Sequence, residues 1–233
     1  MRYVKDEGWR EERSEATKPL LIPHDSLARR CRFFVANTPS SQFVLPTAPT
    51  QPVTLNGGMP MPSWYDIEGL SERTNENCNG IVESQRTVER IMEGEAAAGL
   101  PYSRMVLSGF SQGAALSLFT GLQLPDDKKI AGVLAMSGYL AGSKQFKLSP
   151  AGKTTPVLHC HGTADPMVTF SMAQKTETLL KEGGVENYEL KPYAGMQHTV
   201  LPEELSDALA FLNKVLPPDD TCAVKPKSVD EMR

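Results

Sequence analysis

A chain of 233 residues can bury a substantial core, and 40% hydrophobic with 22% charged residues is ordinary for a globular protein. A formal net charge of −4 gives no electrostatic case for nucleic acid. No apolar run reaches the roughly 18 residues of a membrane-spanning helix, and Met1 to Lys18, dense in Glu and Arg, has the character of neither a secretory signal nor a transit peptide.

In chain order, residues 1–18 read as a polar, poorly ordered arm, residues 19–218 as a single domain and residues 219–233 as a polar tail. Residues 37–63 read as loop, with Pro39, Pro46, Pro49, Pro52, Pro60, Pro62 and the pair Gly57-Gly58, and a short strand from Gln42 to Leu45 is expected inside it. The apolar spacing of Ile81, Val82, Val88, Ile91 and Met92 predicts a helix over 79–98, with Gly99 as its stop. From there strands and helices alternate. Strands are expected over Arg104–Ser108, Ile130–Met136, Pro156–Cys160 and Asn187–Tyr193, and helices over Gln112–Leu122, about 170–182 (closed by Gly183-Gly184) and Pro202–Val215. That alternation predicts an α/β fold, a mostly parallel sheet with helices on both faces, whose reactive groups sit at the carboxyl ends of the strands.

Cys31, Cys78, Cys160 and Cys222 are scattered and form no C-x-x-C. Free thiols in a reducing, cytoplasmic compartment fit better than a disulfide framework, and Cys160, in an apolar run, reads as a small buried hydrophobe.

The sharpest signal is Gly109-Phe110-Ser111-Gln112-Gly113, a G-x-S-x-G set between a predicted strand and a predicted helix. The glycines leave room for a hard bend at Ser111, which would project its hydroxyl from the sheet. A serine needs a base, and the base needs an orienting acid. Of the four histidines, His24, His159, His161 and His198, the last follows the final predicted strand and suits the base. Asp165 follows the preceding strand, and Pro166 holds it out of helical geometry. Ser111, Asp165 and His198 thus stand in the order Ser–Asp–His, each beyond a different strand. Gln112, directly after the nucleophile, is the expected donor of one backbone N–H to an oxyanion. His159 and His161 share a strand face but have no third ligand at a suitable spacing, so no metal is assigned.

With these motifs in place the chain resembles the acyl-protein thioesterase and lysophospholipase family of α/β-hydrolases, over about residues 43–219. The resemblance is carried by Pro46-Thr-Ala-Pro49, Pro52-Val-Thr-Leu-Asn56, Met61-Pro-Ser-Trp-Tyr-Asp-Ile67, Gly109-Phe-Ser-Gln-Gly113, His161-Gly-x-x-Asp-Pro166, Tyr193-x-Gly-Met-x-His198 and Leu216-Pro-Pro218. It implies cofactor-free hydrolysis of acyl thioesters on protein cysteines, of lysophospholipids or of small carboxylic esters. It maps a triad onto Ser111, Asp165 and His198, and it makes Met61 and Trp64 candidates for lining the acyl site. Implied partners are S-acylated proteins or lipid and ester substrates. Transient contact with a membrane surface fits this picture, as does a monomer or weak homodimer.

One departure stands out. The family carries an apolar strand ending in His-Gly-x-Gly-Asp, whose loop supplies the second oxyanion donor. The nearest segment here, Pro19-Leu-Leu-Ile-Pro-His24-Asp25-Ser26, lacks the glycines. The N-terminal strands are therefore expected to be shortened or altered, with an N–H near Ser26 as the candidate donor. Three readings stay open: a divergent working loop, an altered isoform or gene model, and a complete triad with poor catalysis. Two alternatives to the thioesterase follow, an impaired acyl-binding homologue and a short-chain carboxylesterase.

Overall fold

The computed structural model describes residues 2–3, 12–13, 41–69 and 77–217. Ser26, the altered N-terminal strands and the 219–233 tail lie outside the described residues. So does the expected arm, apart from an antiparallel pairing of β1 (Arg2–Tyr3) with β2 (Glu12–Arg13).

The proline-rich segment differs from its sequence reading in two ways. Residues 42–45 form no strand. The side chain of Gln42 instead reaches the Glu95 carboxylate at 3.3 Å, and Phe43 packs into an apolar cluster. Residues 50–62, expected as loop, form a hairpin of β3 (Thr50–Val53) and β4 (Met59–Pro62). Prolines survive in this ladder because of its phase. The Ser63 N–H donates to the Pro49 carbonyl at 3.0 Å, so bonded pairs recur at 51/61 and 53/59. Pro52, Pro60 and Pro62 fall on the intervening pairs, where no N–H is required.

The main sheet has four parallel strands in the order β5 (Val106–Phe110), β6 (Gly132–Met136), β7 (Val157–Gly162) and β8 (Tyr188–Tyr193). β5 begins two residues later than expected. Tyr102–Arg104 forms a 3-10 turn, and the Arg104 guanidinium bonds the Pro217 carbonyl at 2.7 Å. Among the described residues, β5 and β8 are the sheet's edges.

Side chains alternate along β6 and β7, and each face has its own cover. On one face Val133, Ala135 and Val157 pack with Met92 of α1 (Ile81–Ala97), with Ala114, Leu118 and Leu122 around α2 (Gln112–Gly121), and with Leu180 near the end of a later helix. On the other face Leu134, Met136, Leu158 and Cys160 meet Leu205, Ala208, Phe211 and Leu212 of α5 (Pro202–Val215). The short α3 (Pro150–Thr154) links β6 to β7, and α4 (Phe170–Glu182) links β7 to β8. Residues 114–121 of α2 are all buried, which explains its apolar character all round. Each fully buried Leu or Phe here stabilises the fold by about 1.5–3 kcal/mol. Helices on both faces of a parallel sheet make this the α/β architecture that the strand–helix alternation predicts.

Candidate active site

The turn after β5 is where the sheet meets α2. Ser111 adopts φ 55° and ψ −119°, a left-handed strained conformation for a residue with a side chain. It is held from both sides: its N–H donates to the Met136 carbonyl on β6 at 2.9 Å, and its carbonyl accepts from the Ala115 N–H at 3.1 Å. Gly109 makes the bend feasible, since a Cβ there would lie 2.2 Å from the Gly113 carbonyl carbon and 2.5 Å from the Ala114 nitrogen. Gly113 differs, because a Cβ on it would meet nothing within 4 Å. The sequence reading gave both glycines the same task, but only Gly109 stands where bulk would collide.

Asp165 and His198 come from the loops that follow β7 and β8. The loops are zipped together by the Thr163 N–H on the Tyr193 carbonyl at 3.0 Å and the Ala164 N–H on the Met196 carbonyl at 3.1 Å. Gly162 lets them approach, for a Cβ there would sit 2.1 Å from the Met196 carbonyl oxygen. The buried Asp165 carboxylate is shared between two tasks. Its Oδ1 accepts from the Met167 and Val168 N–H groups at 2.8 and 2.9 Å, and its Oδ2 accepts from His198 Nδ1 at 2.7 Å. Because a carboxylate only accepts, Nδ1 carries the proton and Nε2 faces Ser111 as an acceptor. The Ser111 hydroxyl lies 3.0 Å from Nε2. The Phe110 ring, 4.8 Å from the imidazole centroid, backs it.

Gln112 opens α2, so helix geometry leaves its backbone N–H without an intrahelical acceptor. Its side chain has a role the sequence reading missed. Oε1 accepts from the Trp64 N–H at 2.9 Å, while Nε2 donates to Ser63 Oγ at 2.8 Å and to the Tyr65 carbonyl at 2.9 Å. The Ser84 hydroxyl donates to the Trp64 carbonyl. Both main-chain groups of Trp64 are thus anchored, and the segment is registered against the Ser111 turn. Met61 lies on the exposed β4, where its sulfur accepts from Asn56 Nδ2 at 2.7 Å. The structure therefore brings together Ser111, His198 and Asp165, ties Trp64 to Gln112, and leaves Met61 on the hairpin.

Among the described residues no group of three or more His, Cys, Asp or Glu side chains is disposed to hold a metal, and no helix is long and apolar enough to cross a membrane. Cys78 and Cys160 are buried and form no disulfide, and burial pushes the Cys160 thiol up to about 12.

A family model described as Phospholipase/Carboxylesterase matches residues 25–216. The chain belongs to this family. It is 42% identical to acyl-protein thioesterase 1 of Neurospora crassa, over 76% of this chain and 74% of that one. It is 40% identical to acyl-protein thioesterase 1 of Mycosarcoma maydis, over 76% and 78%. Among solved structures, Arabidopsis thaliana SOBER1 superposes with a TM-score of 0.70 at 30% identity, covering 80% of this chain and 90% of that one. Acyl-protein thioesterase 2 of Zea mays superposes with a TM-score of 0.62 at 29% identity, covering 73% and 80%. Family membership makes the chain a serine hydrolase.

Proposed function

We propose that the enzyme hydrolyses acyl thioesters and esters, with S-acylated proteins as its main substrates and lysophospholipids or carboxylic esters as lesser ones. The observation that carries the reading is the hydrogen-bonded line from Ser111 Oγ through His198 to Asp165. Ser111 Oγ attacks the acyl carbonyl as its proton passes to His198 Nε2. The tetrahedral oxyanion accepts from the Gln112 N–H and, in this reading, from an N–H near Ser26. Collapse expels the thiol or alcohol, which takes the proton from Nε2. Water then attacks the acyl-serine by the same route and releases the carboxylic acid. Asp165 keeps the imidazole in the required tautomer throughout.

The rest of the reading is consistent with this chemistry. Trp64, registered to Gln112, walls the acyl site together with Met61. A long acyl chain gains about 0.8 kcal/mol per buried methylene. Leu55, Met59 and Met61 are exposed on or beside the hairpin, and they fit transient contact with a membrane surface, where acyl substrates reside. The active form is a single domain over residues 19–218, a cytoplasmic monomer or weak homodimer that needs no cofactor. An acyl-binding protein without activity is disfavoured, because the strained backbone at Ser111, which costs about 1–3 kcal/mol, goes with a hydroxyl within hydrogen-bond reach of His198.

The test is fluorophosphonate labelling together with hydrolysis of acetyl and palmitoyl (thio)esters. We expect strong labelling that is lost in Ser111→Ala, with palmitoyl substrates preferred. Well-folded protein that fails to label would overturn the hydrolase mechanism, and a preference for acetyl substrates would replace the depalmitoylase with a short-chain carboxylesterase.

A further inference from the structure

His159 and His161 take no part in the steps above, yet both are completely buried on β7. Their contacts admit one arrangement of protons. His161 Nε2 lies 2.8 Å from the Val168 carbonyl, which can only accept, so Nε2 carries hydrogen and Nδ1 is bare when the ring is neutral. That bare Nδ1 lies 3.3 Å from His159 Nε2, which also lies 3.2 Å from the Gly138 carbonyl. Both are acceptors, so His159 Nε2 carries hydrogen and His159 Nδ1 is bare. Nδ1 then accepts from the Tyr188 hydroxyl at 2.6 Å. Reversing either ring sets two lone pairs against each other, and protonating His161 sets its Nδ1–H against the His159 Nε2–H. Burial agrees, pushing His159 down to about 3 and His161 below its ordinary range.

The chain ends beside the catalytic acid. Val168 is gripped through both of its main-chain groups: its carbonyl accepts from His161 and its N–H donates to Asp165 Oδ1. His161 Nε2 is also 3.7 Å from Asp165 Oδ2, the oxygen that serves His198. The titratable groups facing the pair are Asp165 and His198 from the loops and Tyr188 from β8, with Glu177 of α4 acting on Tyr188.

We infer that His161 is a positioning residue for Asp165: held in one tautomer by the Val168 carbonyl and by His159, whose other ring nitrogen Tyr188 serves, it fixes the Val168 main chain and so keeps Oδ2 presented to His198. The inference rests on the triad reading above. It also explains why two hydrogen-bonded imidazoles are buried beside the acid's loop, where apolar side chains would suffice for packing alone.

The test compares His161→Leu, which has no donor, with His161→Gln, whose amide nitrogen has the reach of Nε2, and with Tyr188→Phe, which removes only the hydroxyl. The readouts are kcat and KM on a short ester, the pH profile of kcat/KM, the fluorophosphonate labelling rate and the downfield proton resonance of His198 Nδ1. His161→Leu is expected to lower kcat by about 10–100-fold, the scale of a small misplacement in a catalytic group, with KM little changed. The pH profile of kcat/KM changes shape, because the carboxylate that orients the base is displaced. His161→Gln recovers most of the loss. Tyr188→Phe costs about 2–10-fold, the worth of one neutral hydrogen bond, and broadens the His198 resonance. Equal losses in the Leu and Gln variants with an unmoved pH profile would overturn the inference. So would Leu kinetics like those of the unaltered enzyme or, should the Leu variant not fold, a Tyr188→Phe enzyme with unchanged kcat and resonance. Failure of the unaltered enzyme to label sinks the triad reading instead, so the two failures are distinguishable.

Discussion

At the carboxyl end of β5, Ser111 is held by backbone shape: φ 55°, a ladder bond from its N–H to Met136, and a helix so close that Gly109 has no room for a Cβ. At the end of β7, Asp165 is held by donors. Two N–H groups occupy one oxygen, His198 takes the other, and His161 steadies the peptide behind them. Steric placement tolerates no added atom but is indifferent to polarity. Placement by donors tolerates changes of shape but not a misplaced hydrogen. The two sides should therefore fail differently when altered.

Asp165→Asn is the largest expected effect. The Met167 and Val168 N–H groups demand an acceptor at Oδ1, which forces the amide nitrogen to the Oδ2 position facing His198. His198 must then switch tautomer and turn an N–H toward Ser111. Turnover should fall by about 10⁴-fold while thermal stability changes little. A variant that keeps a tenth of its activity would show that the acid is not placed by its donors.

Gly109→Ala probes the steric side and should fail in the opposite manner. Its Cβ meets helix backbone rather than a flexible side chain, so α2 and the elbow must shift. Overpacking of this kind costs about 1–3 kcal/mol, and an elbow displaced by about 1 Å loses on the order of 100-fold in rate. Stability and activity should drop together, read from a melting curve and from labelling of Ser111. Intact stability with lost activity would put Gly109 in a chemical role instead.

The same contrast explains what could be read from the chain before its structure. The steric side is written in local spacing: small residues at 109 and 113 around a serine, after an apolar run. Ser111, Asp165 and His198 all stood out because each follows a segment that reads as a strand, an apolar run before Ser111 and before Asp165 and an alternating one before His198. The helices over 170–182 and 202–215 were legible from their apolar residues at helical spacing and, for the first, from the Gly183-Gly184 stop. Contacts made across long sequence separations were not. Nothing near Gln112 announces that its side chain will hold Trp64, and nothing near His161 announces Tyr188. The hairpin was hidden for a different reason, since Pro52, Pro60 and Pro62 argue against strands unless the ladder phase is known. The strand expected at Gln42–Leu45 failed because a local apolar run has no ladder partner among the described residues.

Donor-based placement also predicts a pH dependence that sterics would not produce. His159 is neutral when folded, with its affinity for protons depressed from 6.5 to about 3, and His161 is shifted in the same direction. The unfolded chain therefore binds more protons below the ordinary histidine range, and stability rises with pH there. The contribution is present in full above about pH 7 and is lost as pH falls through 6.5 toward 3. Between pH 7 and pH 5, His159 alone should remove about 2 kcal/mol. Urea unfolding at the two pH values measures this, and His159→Gln should flatten the difference by that amount whatever its own stability. An unchanged difference would mean that the buried ring is not held neutral.

Gly113→Ala is the smallest effect and the cleanest separation of the two glycines. Both flank the same serine, but a Cβ at 113 enters open space, and alanine suits the first turn of a helix better than glycine. Relief of glycine's conformational freedom is worth about 0.5–1 kcal/mol in a helix, so the variant should be as stable as the unaltered protein or slightly more so. A melting temperature that falls as far as that of Gly109→Ala would mean the elbow needs both glycines for clearance, and the division between a steric nucleophile side and a donor-held acid side would lose its sharpest marker.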